Sequence, residues 1–239
     1  MEKYDYNDIN IVYEDNHILV VVKPQNLPTC GDASGDDNLL DCLKRYLIDK
    51  YNKPGDAYLG LLHRLDRPTG GVMIFAKTSK AASRLSDDIR SGEFDKRYLA
   101  VTVGTPREKK GTLKNGLMKD PEKNMVRCVP ILTEGAKLAV LDYKVVESKS
   151  ELCLLDVNLL TGRSHQARVQ LNFMGTPIFG DYRYGANKSP QGYNLALWAY
   201  ELRFPHPITK EIMVFRVNPP QEDTPWKFFD INTKLQLIN

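Results

Sequence analysis

The stretch LLHRLDRPTGGVMIFAKT, residues 61–78, joins a charged turn to an apolar strand. VMIFAK (72–77) has the apolar, partly β-branched composition of a buried strand, which would hold the preceding turn in place. Asp66 lies in that turn two residues after Arg64, and residues two apart share a face in extended backbone. A carboxylate that is shielded from water and kept ionised by a nearby arginine can act as a nucleophile. The structural alternative is that Asp66 only accepts backbone hydrogen bonds in the turn.

Strand patterns also dominate the rest of the chain. Two hairpins are predicted, one from residues 9–14 and 17–23 and one from residues 138–146 and 151–159. Further strands are expected at residues 97–104, 195–204 and 212–217. Because hairpins outnumber βαβ crossovers, the predicted fold class is α+β, a single mixed domain built on a largely antiparallel β-sheet with flanking helices.

Four helices are predicted, the first two from apolar residues that repeat with the helical period and the last two from residues that favour helix ends. Their expected first residues or caps are Asp37, Thr78 or Ser79, Thr161 or Ser164, and Thr224. The third helix, TGRSHQARVQLNFMG (161–175), has the clearest pattern and should end at Gly175, and the second should end near Gly92. Residues 105–135 carry only weak strand signals and are interpreted as loop-rich.

Composition and charge narrow the possible partners only a little. The chain has 239 residues and a formal net charge of +3, which many neutral enzymes share. Residues 107–127 hold seven Lys and Arg side chains against three acids. Such a run is either a solvated loop or an arm that binds phosphates, and the sequence leaves both open. The N-terminus does not resemble a signal peptide, and the longest apolar run (18–22) is too short to span a membrane, so we expect an intracellular protein without membrane contact.

Several standard sites are absent from the sequence. It contains no GxSxG elbow, no phosphate-binding GxxxxGK[ST] loop and no GxGxxG after a strand. The four cysteines form no CxxC pair and the four histidines lack metal-ligand spacing, so no metal site is predicted. Free cysteines are typical of the reducing cytoplasm.

A second cluster of polar residues lies in the third predicted helix. His165, Arg168 and Asn172 share one helical face, which is usually a surface feature. Arg163 and His165 fall in the expected first turn, where basic side chains and the helix N-terminus together favour an anion such as an RNA phosphate. Tyr98, in the strand KRYLAV, is either a packing residue or a platform on which a base can stack.

Four ordered blocks of the sequence resemble the RluA-type pseudouridine synthases. HRLDRPTGG (63–71) resembles the family signature HRLDxxTSG, and IVYEDNHILVVVKPQNL (11–27) resembles the family's opening hairpin. KRYLAV (96–101) is similar to the tyrosine-bearing strand, and LLTGRSHQARVQLNFMGTPIFGDYRYG (159–185) to the block TGRxHQIRxHxxxxGxPIxGDxxYG. The similarity extends from about residue 9 to residue 220.

This resemblance implies an isomerase that converts uridine to pseudouridine in ribosomal or transfer RNA, without a cofactor or metal. It implies that Asp66 is the catalytic aspartate and that the Arg168 guanidinium pairs with it. It also implies that Tyr98 packs on the target base and is a candidate for removing the proton at carbon 5. His63 and Arg64 would help to open the RNA helix and fill the gap left by the base.

The same resemblance implies one catalytic domain over residues 1–239. Its free cysteines favour the cytoplasm, and a monomer without a protein partner is the default expectation. Because the first family block begins near residue 9, we expect no N-terminal S4 RNA-binding domain. RNA contact would then fall to the catalytic domain, with the basic segment 105–127 as a phosphate-binding loop or arm.

Departures from the family pattern leave an alternative open. Gly70, Ala167, Gln170 and Trp198 replace residues that are usual in the family. Gly70, Ala167 and Trp198 motivate a second hypothesis, that the protein is an RNA-binding or RNA-remodelling relative with weak or lost catalysis. A glycoside-cleaving hydrolase is disfavoured, because it would need two carboxylates flanking the bond and the family-like blocks supply one such acid.

Overall fold

The computed structural model describes residues 3–120, 122–123, 125–185 and 188–236. In chain order the strands are β1 (Ile11–Glu14), β2 (Ile18–Lys23), β3 (Gly60–Leu61), β4 (Gly70–Ala76), β5 (Asp95–Val103), β6 (Lys110–Asp120), β7 (Met125–Val129), β8 (Lys137–Lys149), β9 (Leu152–Leu159), β10 (Leu197–Pro205) and β11 (Ile212–Arg216). The helices are α1 (Leu39–Lys50), α2 (Ser79–Ser91), α3 (Gln166–Phe173) and α4 (Ile231–Gln236). The contacts within the chain group its residues into two compact units, Met1–Asp95 with Ala199–Val217 and Lys96–Trp198 with Asn218–Asn239.

The first unit is built on the strand order β1-β2-β4-β10, with β11 paired to β10 and β3 paired to β4. The β1–β2 hairpin predicted around Asp15-Asn16 is confirmed, and β2 runs antiparallel to β4 with Val20 opposite Ile74. All seven residues of β4 are buried, as its apolar sequence predicts. The core of this unit is formed by Ile18, Val20, Val72, Ile74, Leu85, Phe94, Leu202 and Phe204.

Two capped helices flank this sheet, and one cap differs from the prediction. Helix α1 begins after Asn38, whose side chain accepts a hydrogen bond from the Asp41 backbone N–H at 3.1 Å. The carboxylate of the predicted cap, Asp37, instead accepts hydrogen bonds from both terminal nitrogens of Arg45 and from the Tyr4 backbone N–H. The Asp37 carboxylate is therefore occupied by the ion pair with Arg45, and the side-chain amide of Asn38 caps the helix instead. Helix α2 begins after Thr78 and ends at Gly92, as predicted.

The second unit carries the antiparallel strand order β5-β9-β8-β6-β7. The predicted hairpin of β8 and β9 is confirmed. The loop-rich interpretation of residues 105–135 is wrong, because β6 and β7 form a long hairpin within that range. Only Gly116 and Leu117 are buried in β6, so the strand lacks the alternation of apolar and polar residues by which a strand is recognised in a sequence. Its pairing with β8 forms the strand instead.

Helix α3 is shorter than the sequence pattern predicts. It begins at Gln166, because His165 adopts the left-handed conformation (φ 54°) that interrupts a helix. The Gln166 side chain accepts hydrogen bonds from the Thr161 hydroxyl at 2.7 Å and the Arg163 backbone N–H at 3.0 Å. The predicted caps Thr161 and Ser164 are therefore wrong. The predicted C-terminal helix is displaced as well, since a 3₁₀ turn at Trp226–Phe228 precedes α4.

Candidate active site

Asp66 lies on the loop between β3 and β4 and is half-buried. Its backbone carbonyl accepts the Thr69 N–H at 2.9 Å, which closes the turn predicted from the sequence. The preceding residue, Leu65, is fixed by Thr29, whose hydroxyl donates to the Leu65 carbonyl at 2.9 Å. Gly71, the second residue of β4, has φ +125°, and a Cβ there would lie 2.2 Å from the Ala199 carbonyl oxygen, so only glycine fits. The position of Asp66 is therefore set by hydrogen bonds and backbone packing.

Lys23, at the end of β2, is a fully buried cation close to this loop. Its ammonium donates hydrogen bonds to the carbonyls of Pro24 (2.8 Å), Leu27 (2.6 Å) and Arg67 (3.1 Å). The third of these carbonyls belongs to the residue that follows Asp66. Burial lowers the pKa of Lys23 to about 7, and the nearby Asp66 carboxylate acts in the opposite direction. Lys23 thus links the Asp66 turn to β2 and contributes positive charge near the carboxylate.

We predict that the stabilising effect of Lys23 relative to methionine increases with pH. Between pH 7 and the unfolded pKa near 10.5, the folded protein binds fewer protons at Lys23 than the unfolded chain does, so stability rises with pH. The upper limit is about 1.4 kcal/mol per pH unit. Urea unfolding of the parent and Lys23→Met at pH 7 and pH 9 should show the stability difference moving in favour of the parent by roughly 1–2 kcal/mol. A difference that stays constant across this range would contradict the low pKa of Lys23.

The two residues before the Asp66 turn have different environments. The half-buried His63 ring accepts the Ile74 backbone N–H at Nε2 (3.3 Å) and lies 5.9 Å from the Phe94 ring centroid. Arg64 is exposed and forms no ion pair with any residue that the structure describes. The compensation of the Asp66 charge expected from Arg64 is therefore not observed, and in this unit Lys23 contributes it.

Arg168 is buried on α3, although the sequence pattern favoured an exposed polar face. Its side chain is 7% exposed and donates from Nε and Nη2 to the two carboxylate oxygens of Asp181, each at 2.8 Å. The guanidinium carbon lies 5.2 Å from the ring centroid of Tyr184, in cation–π geometry. The Asp181 carboxylate also accepts the backbone N–H groups of Arg183 and Tyr184. Because the planar guanidinium is bonded at two of its nitrogens and stacked on a ring, it has little freedom to rotate.

The two basic residues expected in the first turn of the helix precede it instead. Arg163 is exposed, and its Nε donates to the Leu138 carbonyl at 2.9 Å. The His165 Nδ1 lies 2.6 Å from the Tyr184 hydroxyl. The predicted anion site at the helix N-terminus is therefore not built as expected, because neither side chain projects from the first helical turn.

Tyr98 lies in β5 and is 6% exposed. It is paired across the sheet with Val157 of β9, which in turn is opposite Tyr143 of β8. Gly111 of β6 completes this row, and a Cβ there would lie 3.1 Å from the Tyr143 ring. The phenol is therefore carried on a central, well-paired strand rather than on a loop.

Residues 17–173 match the family model described as RNA pseudouridylate synthase. The chain belongs to the RNA pseudouridylate synthase family. It is 33% identical over 213 residues to YhcT, an uncharacterized RNA pseudouridine synthase of Bacillus subtilis, with 88% of this chain and 68% of that relative aligned. It is also 33% identical over 221 residues to the ribosomal large subunit pseudouridine synthase C of Escherichia coli O157:H7, covering 89% and 66% of the two chains.

A solved structure agrees with this assignment. Human RNA pseudouridylate synthase domain containing 4 superimposes with a TM-score of 0.74 at 25% identity, covering 89% of each chain. The α+β fold class and the RluA-type resemblance are confirmed, and the protein is an RNA pseudouridine synthase and hence an isomerase. No helix within the described residues is long and apolar enough to cross a membrane.

Two buried residues of this synthase were missed by sequence reasoning. Lys23 could have been noticed as a charged residue closing the apolar run HILVVVK. Asp181 stands in a turn-rich segment, where an acid next to glycine normally indicates only a turn. Its burial, at 1% exposure, and its bidentate pairing with Arg168 depend on the tertiary fold. Among the described residues, no group of His, Cys, Asp and Glu side chains could hold a metal ion.

Proposed function

We propose that the protein converts specific uridines of ribosomal or transfer RNA to pseudouridine, with Asp66 as its catalytic aspartate. The observation that carries this proposal is the rigid turn of Asp66, fixed by Thr29 and Lys23 and still half-accessible to a substrate. A half-buried carboxylate near a buried cation has the charge and shielding that nucleophilic or proton-transfer chemistry requires.

In the proposed reaction, the target nucleotide leaves its stack and enters the site, which requires a few kcal/mol of unstacking. The bond between N1 of uracil and C1′ of ribose breaks, the base rotates, and a bond between C5 and C1′ forms. The proton on C5 is then removed and N1 becomes protonated, so the product is an isomer of the substrate. Asp66 either adds covalently or assists bond cleavage and takes a proton from the ribose.

Tyr98 and Arg168 complete the proposed catalytic set. Tyr98 would pack on the target base and accept the C5 proton. Arg168 would pair with the Asp66 carboxylate, which stays a prediction of the family resemblance. The contacts of Asp181 and Tyr184 with Arg168 support this role, because they fix the orientation of a buried guanidinium.

Four further residues are proposed to contact the RNA. His63 and Arg64 precede Asp66 and would fill the space left by the flipped base. Arg163 and His165, which precede α3 rather than lying in its first turn, would contact RNA phosphates from the loop. The exposure of Arg64 and Arg163 leaves both side chains able to reach a substrate. We propose that the enzyme works as a cytoplasmic monomer without a cofactor, in keeping with its four free cysteines.

Ribosomal RNA is the first substrate to test, since relatives carry the name of ribosomal large subunit pseudouridine synthases. We expect a deletion strain to lose pseudouridine at one or a few uridines, and reintroduction of the parent gene to restore them. The measurement is a pseudouridine map of total RNA, with both ribosomal and transfer RNA resolved. An unchanged map would favour the alternative of a catalytically weak RNA-binding relative, which Gly70, Ala167 and Trp198 motivate.

A further inference from the structure

The outer side of the β6–β7–β8 sheet carries exposed cations at alternate positions. Lys110 and Lys114 of β6, Arg127 of β7 and Lys144 of β8 are all exposed. Directly opposed residues of antiparallel strands lie on the same face of a sheet, as do residues two apart in one strand. The pairings Lys110–Lys144 and Met118–Arg127 therefore place all four cations on one surface, which we call the basic strand face.

Helix α3 covers the other side of this sheet. The buried Gln170 side chain donates from Nε2 to the Leu113 carbonyl at 3.1 Å and to Asn115 Oδ1 at 2.8 Å. The apolar residues Leu117, Val126, Ala139 and Val169 pack together as the core of this region. The basic strand face thus has no role in packing α3 or this core.

The pairing of Lys110 with Lys144 is unfavourable for folding. Like charges directly opposite each other in a sheet repel, and neither lysine is compensated by an ion pair within the described part of the chain. Three acids share the face. The Asp142 carboxylate accepts the Thr112 hydroxyl, and the Asp120 carboxylate accepts backbone N–H groups in its own turn. The buried Asp156 of β9, opposite Lys144, pairs with Arg97. A sheet selected for stability alone would place opposite charges across this pair.

The cations are spread along β6 rather than gathered at one point. Lys110 and Met118 are separated by eight residues, which corresponds to about 27 Å of strand. Arg127, opposite Met118, donates toward the Met118 sulfur at 3.8 Å, so its stem lies flat across the strand. A linear polyanion fits such a row, whereas a single phosphate or carboxylate ligand would touch only one of its members.

We propose that the basic strand face binds the phosphate backbone of the RNA substrate outside the candidate active site. The proposal rests on the RNA substrate of the proposed function and assigns it a second area of contact. The cations lie on paired strands and not on the loop or arm that the sequence predicted. Lys144 of β8 also belongs to the face, although it lies outside the basic segment 105–127. Phosphate contacts of this kind position RNA and carry no base specificity.

The test is the salt dependence of RNA binding. Two double variants, Lys110→Ala/Lys144→Ala and Lys114→Ala/Arg127→Ala, are compared with the parent for binding a fluorescein-labelled RNA stem-loop. Each phosphate contact contributes about 0.7–0.9 to the slope of log affinity against log salt, so each double variant should lower that slope by up to about 1.5 and weaken binding on the order of tenfold. The KM for RNA should rise while kcat stays near that of the parent.

A matched control removes two exposed lysines from the other unit. Lys53→Ala/Lys80→Ala loses the same charge, and both positions are exposed. It should keep the parent slope. If the two variants of the basic strand face and the control all gave the same slope, the proposal would be overturned, since net charge alone would then explain binding. Pseudouridine formation by the parent tests the proposed function separately, because binding slopes can be measured whether or not product forms.

Thermal unfolding of Lys110→Ala/Lys144→Ala gives an independent readout. Because the repulsion between the two lysines is relieved, Tm should be equal to or higher than that of the parent. A lower Tm would show that the pair stabilises the fold, and the argument that it is retained for binding would fail.

Discussion

Asp66→Asn is expected to abolish pseudouridine formation while leaving RNA binding within a few-fold of the parent. Asparagine has nearly the same shape as aspartate but cannot act as a nucleophile or accept a proton at neutral pH. Loss of a positioned acid–base or nucleophilic group lowers rates by about 10²–10⁴-fold or more. Single-turnover conversion of the target RNA, followed by mapping of pseudouridine, measures the first effect, and a filter-binding titration measures the second.

The control for this variant is Asp56→Asn, which neutralises an exposed acid of the same unit that pairs with Lys44. It should keep parent activity. Thermal unfolding should show that Asp66→Asn remains folded, because the backbone carbonyl of residue 66 closes the turn with the Thr69 N–H and the substitution keeps that bond. If Asp66→Asn retained turnover, the catalytic assignment would be wrong and the pseudouridine made by the parent would need another acid.

Sequence reasoning predicted those parts of the fold whose patterns are local. Runs such as HILVVVK and VMIFAK give buried strands. Thr78 caps the start of α2 with its side-chain hydroxyl, and Gly92 ends the helix in the left-handed conformation. The β6–β7 hairpin was missed because its residues alternate polar and half-buried side chains with glycine, and its pairing partner β8 lies more than twenty residues further along the chain. Long-range pairing of this kind leaves little trace in a single segment.

For the site residues as well, what stands in a recognisable stretch of sequence could be predicted, and what depends on distant contacts could not. Asp66, Tyr98 and Arg168 could be named because they stand in family-like blocks, but the burial of Arg168 could not, since its polar helical face looks like a surface. Lys23 and Asp181 take their roles from partners 44 and 13 residues away. Whether a charged residue is buried depends on such distant partners, and no local pattern encodes them.

Removal of the Asp181 carboxylate is expected to have the second large effect. In Asp181→Ala the buried guanidinium of Arg168 loses both of its hydrogen bonds to the Asp181 carboxylate, and breaking a buried pair from one side costs about 3–5 kcal/mol. Tyr184→Phe keeps the ring over the guanidinium and loses only the hydroxyl that contacts His165 and the Val126 N–H, so a smaller loss of about 1–2 kcal/mol is expected. Urea unfolding of the two variants measures both values.

A double variant separates a structural from a catalytic role of this pair. In Arg168→Met/Asp181→Leu both charges of the buried Arg168–Asp181 pair are removed together, and apolar replacements of buried ion pairs are often neutral in stability. We therefore expect the double variant to regain most of the stability lost by Asp181→Ala. Pseudouridine formation should not return, because the proposed partner of Asp66 is then absent. A double variant that was both stable and active would limit Arg168 to holding α3 against the Asp181 turn, and the proposed pairing with Asp66 would have to be given up.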